Sequence, residues 1–253
     1  MLTPEQIAHF ETFGFLFLRK IFSSLKMEKI TREAEKLWEK YRRNEAVGDD
    51  GIHMNYFAET SPVLTDLVED DRIFQPVEQL LGPDFIWFGS EGNVTKRAVH
   101  KWHSDRKCWR KEEEEDVSYR RLKIMLYLDP VTKNTGCLRI IPGSHQMPFH
   151  QKLGAQEMDP QSMPFGALGE DLPCYPLESN PGDVVLFNQC LFHSVFGGWE
   201  GRRIIALKFA AKPTTDRDLN ALNNTSSIFY PGVMFFDPIR NFSIVNDRVF
   251  EVW

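Results

Sequence analysis

The sequence predicts a mostly β protein with a helical buttress: a double-stranded β-helix, or jelly roll, with N-terminal helices packed on its major sheet. Three observations predict this class. Residues 1–84 carry helical patterns, residues 85–211 break into short β-branched and aromatic runs, and clusters of Gly, Pro and Asn separate those runs. Many short strands behind a helical prefix favour two antiparallel sheets with helices on one outer face.

The N-terminal helices begin at recognisable capping residues. Thr3 starts a capping-box sequence, in which a proline follows and a glutamine stands three positions later. Ser23 or Ser24 caps a second helix, whose apolar residues recur at helical spacing beside a strongly charged face. Residues 44–60 show no clear period, so the sequence predicts a loop or lid there.

The predicted strands are short apolar runs bounded by turn residues. They lie at residues 15–18, 85–88, 122–128, 137–141, 183–187 and 203–210. After Ala211 the period is lost, and Asn223–Ser227 is predicted to be a loop before an aromatic tail that packs back on the core. We therefore expect a single domain over 1–253, divided into helical support at 1–84, a jelly-roll core at 85–211 and a C-terminal extension at 212–253.

Composition and charge exclude several functional classes. The 253 residues are 42% apolar and 26% charged, and a net charge of −6 gives no basic footprint for nucleic acid or an anionic membrane. None of the four cysteines is spaced as Cys-x-x-Cys, which argues against a zinc ribbon or a redox motif. Because signal-peptide and membrane-helix patterns are also lacking, we expect a cytoplasmic protein. No sequence pattern predicts its oligomeric state.

Two histidines and an aspartate have the spacing of a metal site. His103 and Asp105 stand two positions apart on a predicted strand, so their side chains share one face, about 6.6 Å apart along it. His193 follows another predicted strand and can close the set from a facing strand. Two imidazoles and one carboxylate hold non-haem Fe(II) on one triangular face and leave the opposite positions open. The sequence therefore predicts that these three side chains bind iron.

Two arginines downstream of the distal histidine support the same chemistry. Arg202 and Arg203 open the last long predicted strand, and a planar guanidinium binds a carboxylate through two hydrogen bonds. Many iron enzymes with this ligand set chelate a 2-oxoacid, whose far carboxylate needs a cation in the pocket. Because neighbouring strand residues face opposite ways, we expect one of the two to serve, with Arg202 preferred and Arg203 as the alternative.

A turn block between these motifs resembles a known enzyme family. Residues Asn134 to Cys137, followed by Pro142-Gly143-Ser144-His145, are similar to the strand-turn signature of the phytanoyl-CoA dioxygenase family of Fe(II)/2-oxoglutarate oxygenases. The order also agrees: a His-x-Asp pair, this block, a Pro-Gly-Asp turn at 181–183, a distal histidine and an arginine. The resemblance covers residues 85–211.

The block indicates structure more than catalysis. Its Pro-Gly pair sets a tight turn, which Ser144 and His145 are expected to hold by hydrogen bonds, so His145 is not expected to bind metal. The sequence departs from the family pattern in two places. Ser104 stands where many members have glutamine, and the distal histidine and the arginine are closer than usual, which leaves the choice between Arg202 and Arg203 open.

The resemblance implies an activity and its cofactors. Such an enzyme uses Fe(II), 2-oxoglutarate and O₂, hydroxylates a small-molecule substrate, and releases succinate and CO₂. His103, Asp105 and His193 would be its catalytic metal ligands. By the same resemblance, Asn93 and Ser194 are candidates for further contacts with 2-oxoglutarate.

Several alternatives stay open at this point. The same machinery can desaturate, demethylate or rearrange a ring, and no motif separates these outcomes. A cupin-like metal-binding protein or isomerase without 2-oxoglutarate turnover belongs to a different class, and the candidate arginine argues against it. Asp105 argues against a halogenase, since halide would need a small residue at that position. The acidic run Glu112–Asp116 indicates a solvated segment.

Overall fold

Two antiparallel sheets and a layer of helices form this protein, in a computed structural model that describes residues 1–96, 99–106, 117–157, 169–229, 235–237, 242–245 and 248–251. Within these ranges the helices are α1 Pro4–Phe13, α2 Ser24–Asn44, α3 Pro62–Glu69, α4 Asp71–Leu81, α5 Phe149–Glu157 and α6 Asp216–Phe229. The strands are β1 Phe15–Leu18, β2 Gly51–Asn55, β3 Ile86–Thr95, β4 His100–His103, β5 Arg121–Tyr127, β6 Leu138–Ile140, β7 Tyr175–Leu177, β8 Val184–Asn188, β9 His193–Val195, β10 Arg202–Ala210, β11 Phe235–Asp237, β12 Phe242–Val245 and β13 Arg248–Glu251.

The sheets enclose an interior that is lined by alternate residues of each strand. The larger sheet has the order β1-β8-β5-β10-β3-β11-β12-β13, with β2 also paired to β3, and the smaller sheet has the order β4-β9-β6-β7. On β10, Ile204 and Ala206 join Tyr127 in the core between the sheets, whereas Ile205 and Leu207 pack with the helices. This arrangement confirms the predicted jelly roll with helices on the larger sheet.

Helix α2 attaches the helical layer to the centre of the larger sheet. Its apolar stripe includes Ile30, Ala34 and Trp38, which are fully buried. The Trp38 indole donates to the carbonyl of Gly92 on β3 at 3.3 Å and stacks on the Phe57 ring at 5.0 Å. Of the two predicted caps, Ser23 is the one that the structure uses, and its hydroxyl accepts from the backbone N–H of Lys26.

Helix α1 is bounded at both ends by the residues that the sequence predicts. Thr3 accepts from the Gln6 backbone, and the Gln6 side chain accepts from the Thr3 backbone, which completes the capping box. Gly14 ends the helix in the left-handed region at φ +82°, with its N–H bonded to Phe10. A Cβ on Gly14 would meet the ring of His145, so this turn brings the helix against the 142–145 block.

The predicted loop at 44–60 is wrong in its centre. Strand β2 pairs antiparallel with β3, from Gly51 opposite Thr95 to Asn55 opposite Glu91. Only one side of this short strand is buried, and Ile52 lies on that side. The first residue of the strand is Gly51, where a Cβ atom would collide with the backbone of β3. Such a segment shows too few alternations to stand out as a strand in the sequence.

The predicted loop at Asn223–Ser227 is also wrong, because these residues lie within α6. Its start has a capping arrangement in which Thr215 accepts from the Asp218 backbone and Asp218 accepts from the Thr214 backbone. The tail does return to the larger sheet, where Phe236 of β11 pairs with Trp87 of β3. Strands from all three predicted segments thus contribute to one sheet, and the single-domain division stays a prediction.

Two further predictions meet the structure differently. The acidic run 112–116 lies outside the described residues. In the part of the chain that the structure describes, no helix is long and apolar enough to cross a membrane.

We predict that Gly14→Ala lowers the free energy of unfolding by about 1–2 kcal/mol, because alanine at positive φ is strained and its methyl group meets His145. Gly48→Ala is the matched control, since a Cβ there meets nothing within 4 Å and φ is not positive. Urea unfolding of both variants measures the difference. Equal stability of the two variants would contradict the role assigned to this turn.

Candidate metal centre

His103, Asp105 and His193 converge at the junction of β4 and β9. His103 and His193 are direct partners across these antiparallel strands, and Asp105 lies just past the end of β4, beyond the strand that the sequence predicts for it. Asp105 Oδ1 is 3.7 Å from His193 Nε2 and 3.9 Å from His103 Nε2. One ligand atom from each residue lies within 4.8 Å of the other two, so the three donors can meet a single ion.

Backbone carbonyls orient both imidazoles toward this point. His103 Nδ1 is 2.8 Å from the carbonyl oxygen of Lys101, and His193 Nδ1 is 2.8 Å from that of Leu191. Because a carbonyl oxygen only accepts, each Nδ1 carries the proton and each Nε2 keeps a lone pair. Both lone pairs are therefore available to a metal on the side of Asp105.

The protonation states of the three side chains suit a cation. Burial, and then repulsion from the other imidazole, lowers the pKa of His103 to about 3, and burial also lowers the pKa of His193. Burial alone would raise the pKa of Asp105, but Lys123 and the two imidazoles outweigh it and hold that pKa far below its usual range. Two neutral nitrogens and one carboxylate are thus ready to bind without losing protons at neutral pH.

Ser104 faces away from the donors and fixes the turn that carries Asp105. Its buried hydroxyl donates to the carbonyl of Arg106 at 2.5 Å and accepts from the Arg106 backbone N–H at 3.3 Å. The serine that replaces the family's usual glutamine therefore has a structural role in this chain.

The 142–145 block, which the sequence predicts to be a hydrogen-bonded turn, also supports the strand that carries the distal histidine. The buried Ser144 hydroxyl accepts from the backbone N–H of Phe192, the residue before the distal histidine, at 2.8 Å. His145 Nε2 lies 3.3 Å from the Glu11 carbonyl on α1. His145 is therefore a structural link between helix and turn, and it is not part of the donor group.

Arg202 points into the interior between the sheets. It is 4% exposed, its guanidinium donates to the Gly136 carbonyl, and burial lowers its pKa. Its Nε has no hydrogen-bond partner among the described residues, nor does the hydroxyl of Tyr127, a neighbour on β5 that is 1% exposed. Buried polar atoms without partners are uncommon, and these two lie on the same interior face.

Gly136 explains how the arginine fits beneath the turn. Its φ is +86°, and a Cβ there would collide with the Arg202 guanidinium. The glycine of the Asn-x-Gly sequence therefore leaves room for the cation as well as making the turn.

Arg203 faces the opposite way and is already paired. Its Nε and Nη2 donate to the two carboxylate oxygens of Asp129 at 3.0 and 2.5 Å, and its Nη1 donates to Glu35 at 2.8 Å. The hydrogen bonds that it donates to these carboxylates raise its pKa. Its guanidinium thus joins β10 to helix α2 on the outside of the sheet.

The two weaker candidates differ in placement. Asn93 pairs with Ile204 and so shares the interior face, and its side-chain oxygen lacks a partner in the described structure. Ser194 alternates with His193 on β9 and so shares the outer face with Phe192, away from the donors. Strand geometry thus favours Asn93 and gives no support to Ser194, whose role stays a prediction.

Sequence reasoning missed Tyr127 and Lys123, which both lie on β5. The ammonium of Lys123 is 3.4 Å from Asp105 Oδ2. Strand alternation could have indicated them. Both residues occupy odd-numbered positions of one apolar run, so their side chains lie on the same, interior face of the strand. Their partners come from other strands, which a linear pattern does not show.

Comparisons with known proteins agree with this fold and with the family that the sequence resembles. The family model described as phytanoyl-CoA dioxygenase (PhyH) matches residues 10–196. An ectoine dioxygenase of Bordetella bronchiseptica is 27% identical over 214 residues, which span 76% of this chain and 69% of the relative. The crystal structure of HygX from Streptomyces hygroscopicus with nickel and 2-oxoglutarate bound superposes with a TM-score of 0.70 at 22% identity, over 85% of this chain and 89% of that one. EctD from S. alaskensis with bound Fe gives 0.64 at 22% identity, over 83% and 77%.

We predict that the metal-free protein loses stability between pH 7 and pH 5. The pKa values of His103, His145, His150 and His193 are all lowered by burial. The unfolded chain takes up protons near pH 6.5 that the folded chain cannot bind, so stability falls as the pH falls, by up to about 1.4 kcal/mol per pH unit for each histidine. Urea unfolding at constant ionic strength measures the slope, and a flat profile would contradict the burial of neutral imidazoles.

Proposed function

We propose hydroxylation of a small molecule as the reaction of this chain, which belongs to the phytanoyl-CoA dioxygenase family and is an Fe(II)- and 2-oxoglutarate-dependent dioxygenase. The observation that carries the site assignment is the convergence of His103, Asp105 and His193, with donor atoms within 4.8 Å of one another. The donor set of two imidazoles and one carboxylate is the one that non-haem Fe(II) oxygenases use.

Each ligand has a defined part in holding the metal. His103 and His193 would present Nε2, and Asp105 would present Oδ1, which faces both imidazoles. When bound, Fe(II) and 2-oxoglutarate supply the oxidation of a substrate C–H bond by O₂, with release of succinate and CO₂. The protein's part is to leave coordination positions open, to orient the co-substrate and to limit the access of water.

Arg202 is the proposed anchor for the far carboxylate of 2-oxoglutarate. Three facts support it: its burial on the interior face, the unpartnered Nε, and the unpartnered hydroxyl of Tyr127 beside it. A carboxylate placed there would satisfy both donors at once. The pairing of Arg203 with Asp129 and Glu35 on the outer side of the sheet argues against this role for Arg203. Asn93 is a further candidate contact on the same interior face.

The outcome of the oxidation is read from the product. Hydroxylation is the reaction we favour, since a relative in sequence is an ectoine dioxygenase. Desaturation, demethylation and ring rearrangement are the alternatives with the same machinery. Product mass shows a gained oxygen for hydroxylation, a net loss of CH₂ for demethylation, and a loss of two hydrogens for desaturation or oxidative ring rearrangement, which NMR of the product then separates. Cys137 and Cys174 are free thiols in the described part of the chain, which supports the proposed cytoplasmic location.

We predict that anaerobic addition of Fe(II) and 2-oxoglutarate gives the visible charge-transfer band of a chelated 2-oxoacid. His193→Ala should lose the band, because the centre then keeps only two protein ligands. His9→Ala, which removes an imidazole outside the donor group, is the control and should keep it. Absence of the band in the wild type, or an unchanged band in His193→Ala, would refute the metal assignment.

We predict that Arg202→Ala raises the KM for 2-oxoglutarate by at least about tenfold, since a charge-assisted hydrogen bond contributes roughly 1.5–3 kcal/mol. Arg203→Ala should leave that KM within about twofold and instead lower the melting temperature, because it removes a link between β10 and α2. Steady-state kinetics and thermal unfolding of both variants separate the two roles. A sharp rise in KM for Arg203→Ala alone would reverse the assignment.

A further inference from the structure

An ion-pair cluster lies behind Asp105 on the interior face of the larger sheet. Lys123 on β5 is the register partner of Lys208 on β10, and Glu91 on β3 lies alongside. The Lys123 ammonium is 3.4 Å from Asp105 Oδ2 and 3.5 Å from Glu91 Oε2, and Lys208 pairs with Glu91 Oε1. The side chains of Lys123, Glu91 and Lys208 are 13%, 10% and 8% exposed, so these charges are held largely away from water.

The two oxygens of Asp105 are divided between different neighbours. Oδ1 faces both imidazoles at 3.7 and 3.9 Å, whereas Oδ2 faces Lys123. A carboxylate with both oxygens free can rotate and chelate a cation through two atoms. For a carboxylate to offer a single oxygen to a metal, its second oxygen must be held elsewhere. An ammonium group within hydrogen-bond distance can hold that second oxygen.

We propose that Lys123 is a positioning residue for the metal centre, which holds Asp105 Oδ2 so that Oδ1 alone is offered to the metal. The proposal rests on the metal-binding function proposed above. Its consequence is that the carboxylate occupies one coordination position rather than two. The position saved stays available to 2-oxoglutarate, which needs two, and to O₂.

Glu91 is what keeps the lysine in place. A buried ammonium group is energetically costly unless it is paired with an anion. Asp105 is only a partial partner for Lys123, because its other oxygen faces the two imidazoles and any bound cation. Glu91 gives Lys123 a second carboxylate that no metal competes for, and Lys208 fixes Glu91 from the neighbouring strand. Residues of β3, β5 and β10 thus act together on one oxygen of a side chain that follows β4.

The test compares Lys123→Met, which keeps the aliphatic stem and removes the charge, with Lys123→Arg, which keeps a cation. Lys212→Met is the matched control, because that lysine pairs with Asp84 at the surface, where both side chains are about 60% exposed. Co(II) is titrated anaerobically without 2-oxoglutarate, and its visible d–d absorption reports both Kd and coordination number. Thermal unfolding accompanies each titration.

We expect Lys123→Met to change the d–d spectrum of bound Co(II) to that of a higher coordination number and to lower the Kd about tenfold, because the freed Oδ2 can then bind the ion and the neighbouring positive charge is gone. Lys123→Arg should bring both values back toward wild type, and Lys212→Met should alter neither. A purely structural lysine would change only the melting temperature. If Lys123→Met does not fold, Lys123→Gln takes its place, and we expect the same direction of change in the Kd and in the spectrum.

The outcomes separate this proposal from the one on which it rests. A folded Lys123→Met or Lys123→Gln with wild-type Kd and spectrum overturns the positioning role, while the charge-transfer band of the wild type would still support the oxygenase site. A wild-type protein that binds no Co(II) overturns both proposals together.

Discussion

The pairing of β4 with β9 is the constraint on which the candidate site depends. It sets His103 directly opposite His193, so that two imidazoles from distant parts of the sequence share one face. The register of this pairing has to be exact to the residue, because a shift of one residue would turn each side chain of the strand to the opposite face of the sheet. The carbonyls of Lys101 and Leu191 then fix the rings. The ligand side chains are thus already oriented before a metal binds, and binding would require little rearrangement of them.

The Pro-Gly-Ser-His block supports this pairing from outside the donor group. Ser144 holds the backbone just before His193, and His145 connects the same turn to helix α1. A family signature of this kind therefore records how the sheet edge is held rather than which atoms react. The same distinction applies to Arg202 and Arg203, adjacent on one strand, of which one serves the interior and the other ties the sheet to its helical layer.

The parts of the molecule that a linear pattern predicts are those where neighbours in sequence are also neighbours in space. The helix caps at Thr3 and Ser23, the strand runs and the His-x-Asp pair are of this kind. Strand β2 was missed because a short, half-buried strand shows few alternations of apolar and polar residues. Helix α6 was missed because the residues that follow its cap at Thr215 are mostly polar and show no apolar period. Lys123 was missed for a different reason. Its role comes from residues on three other parts of the chain, and only the folded sheet brings them together.

Gly136 has a consequence for how this protein can change over time. The space that its missing side chain leaves is filled by the guanidinium of Arg202. A larger residue in the turn would exclude the arginine, and a smaller residue in place of the arginine would leave a buried hollow under the turn. The dependence runs one way: a relative with a larger residue in this turn is expected to lack the arginine, whereas a relative that lacks the arginine still needs glycine for the turn at φ +86°.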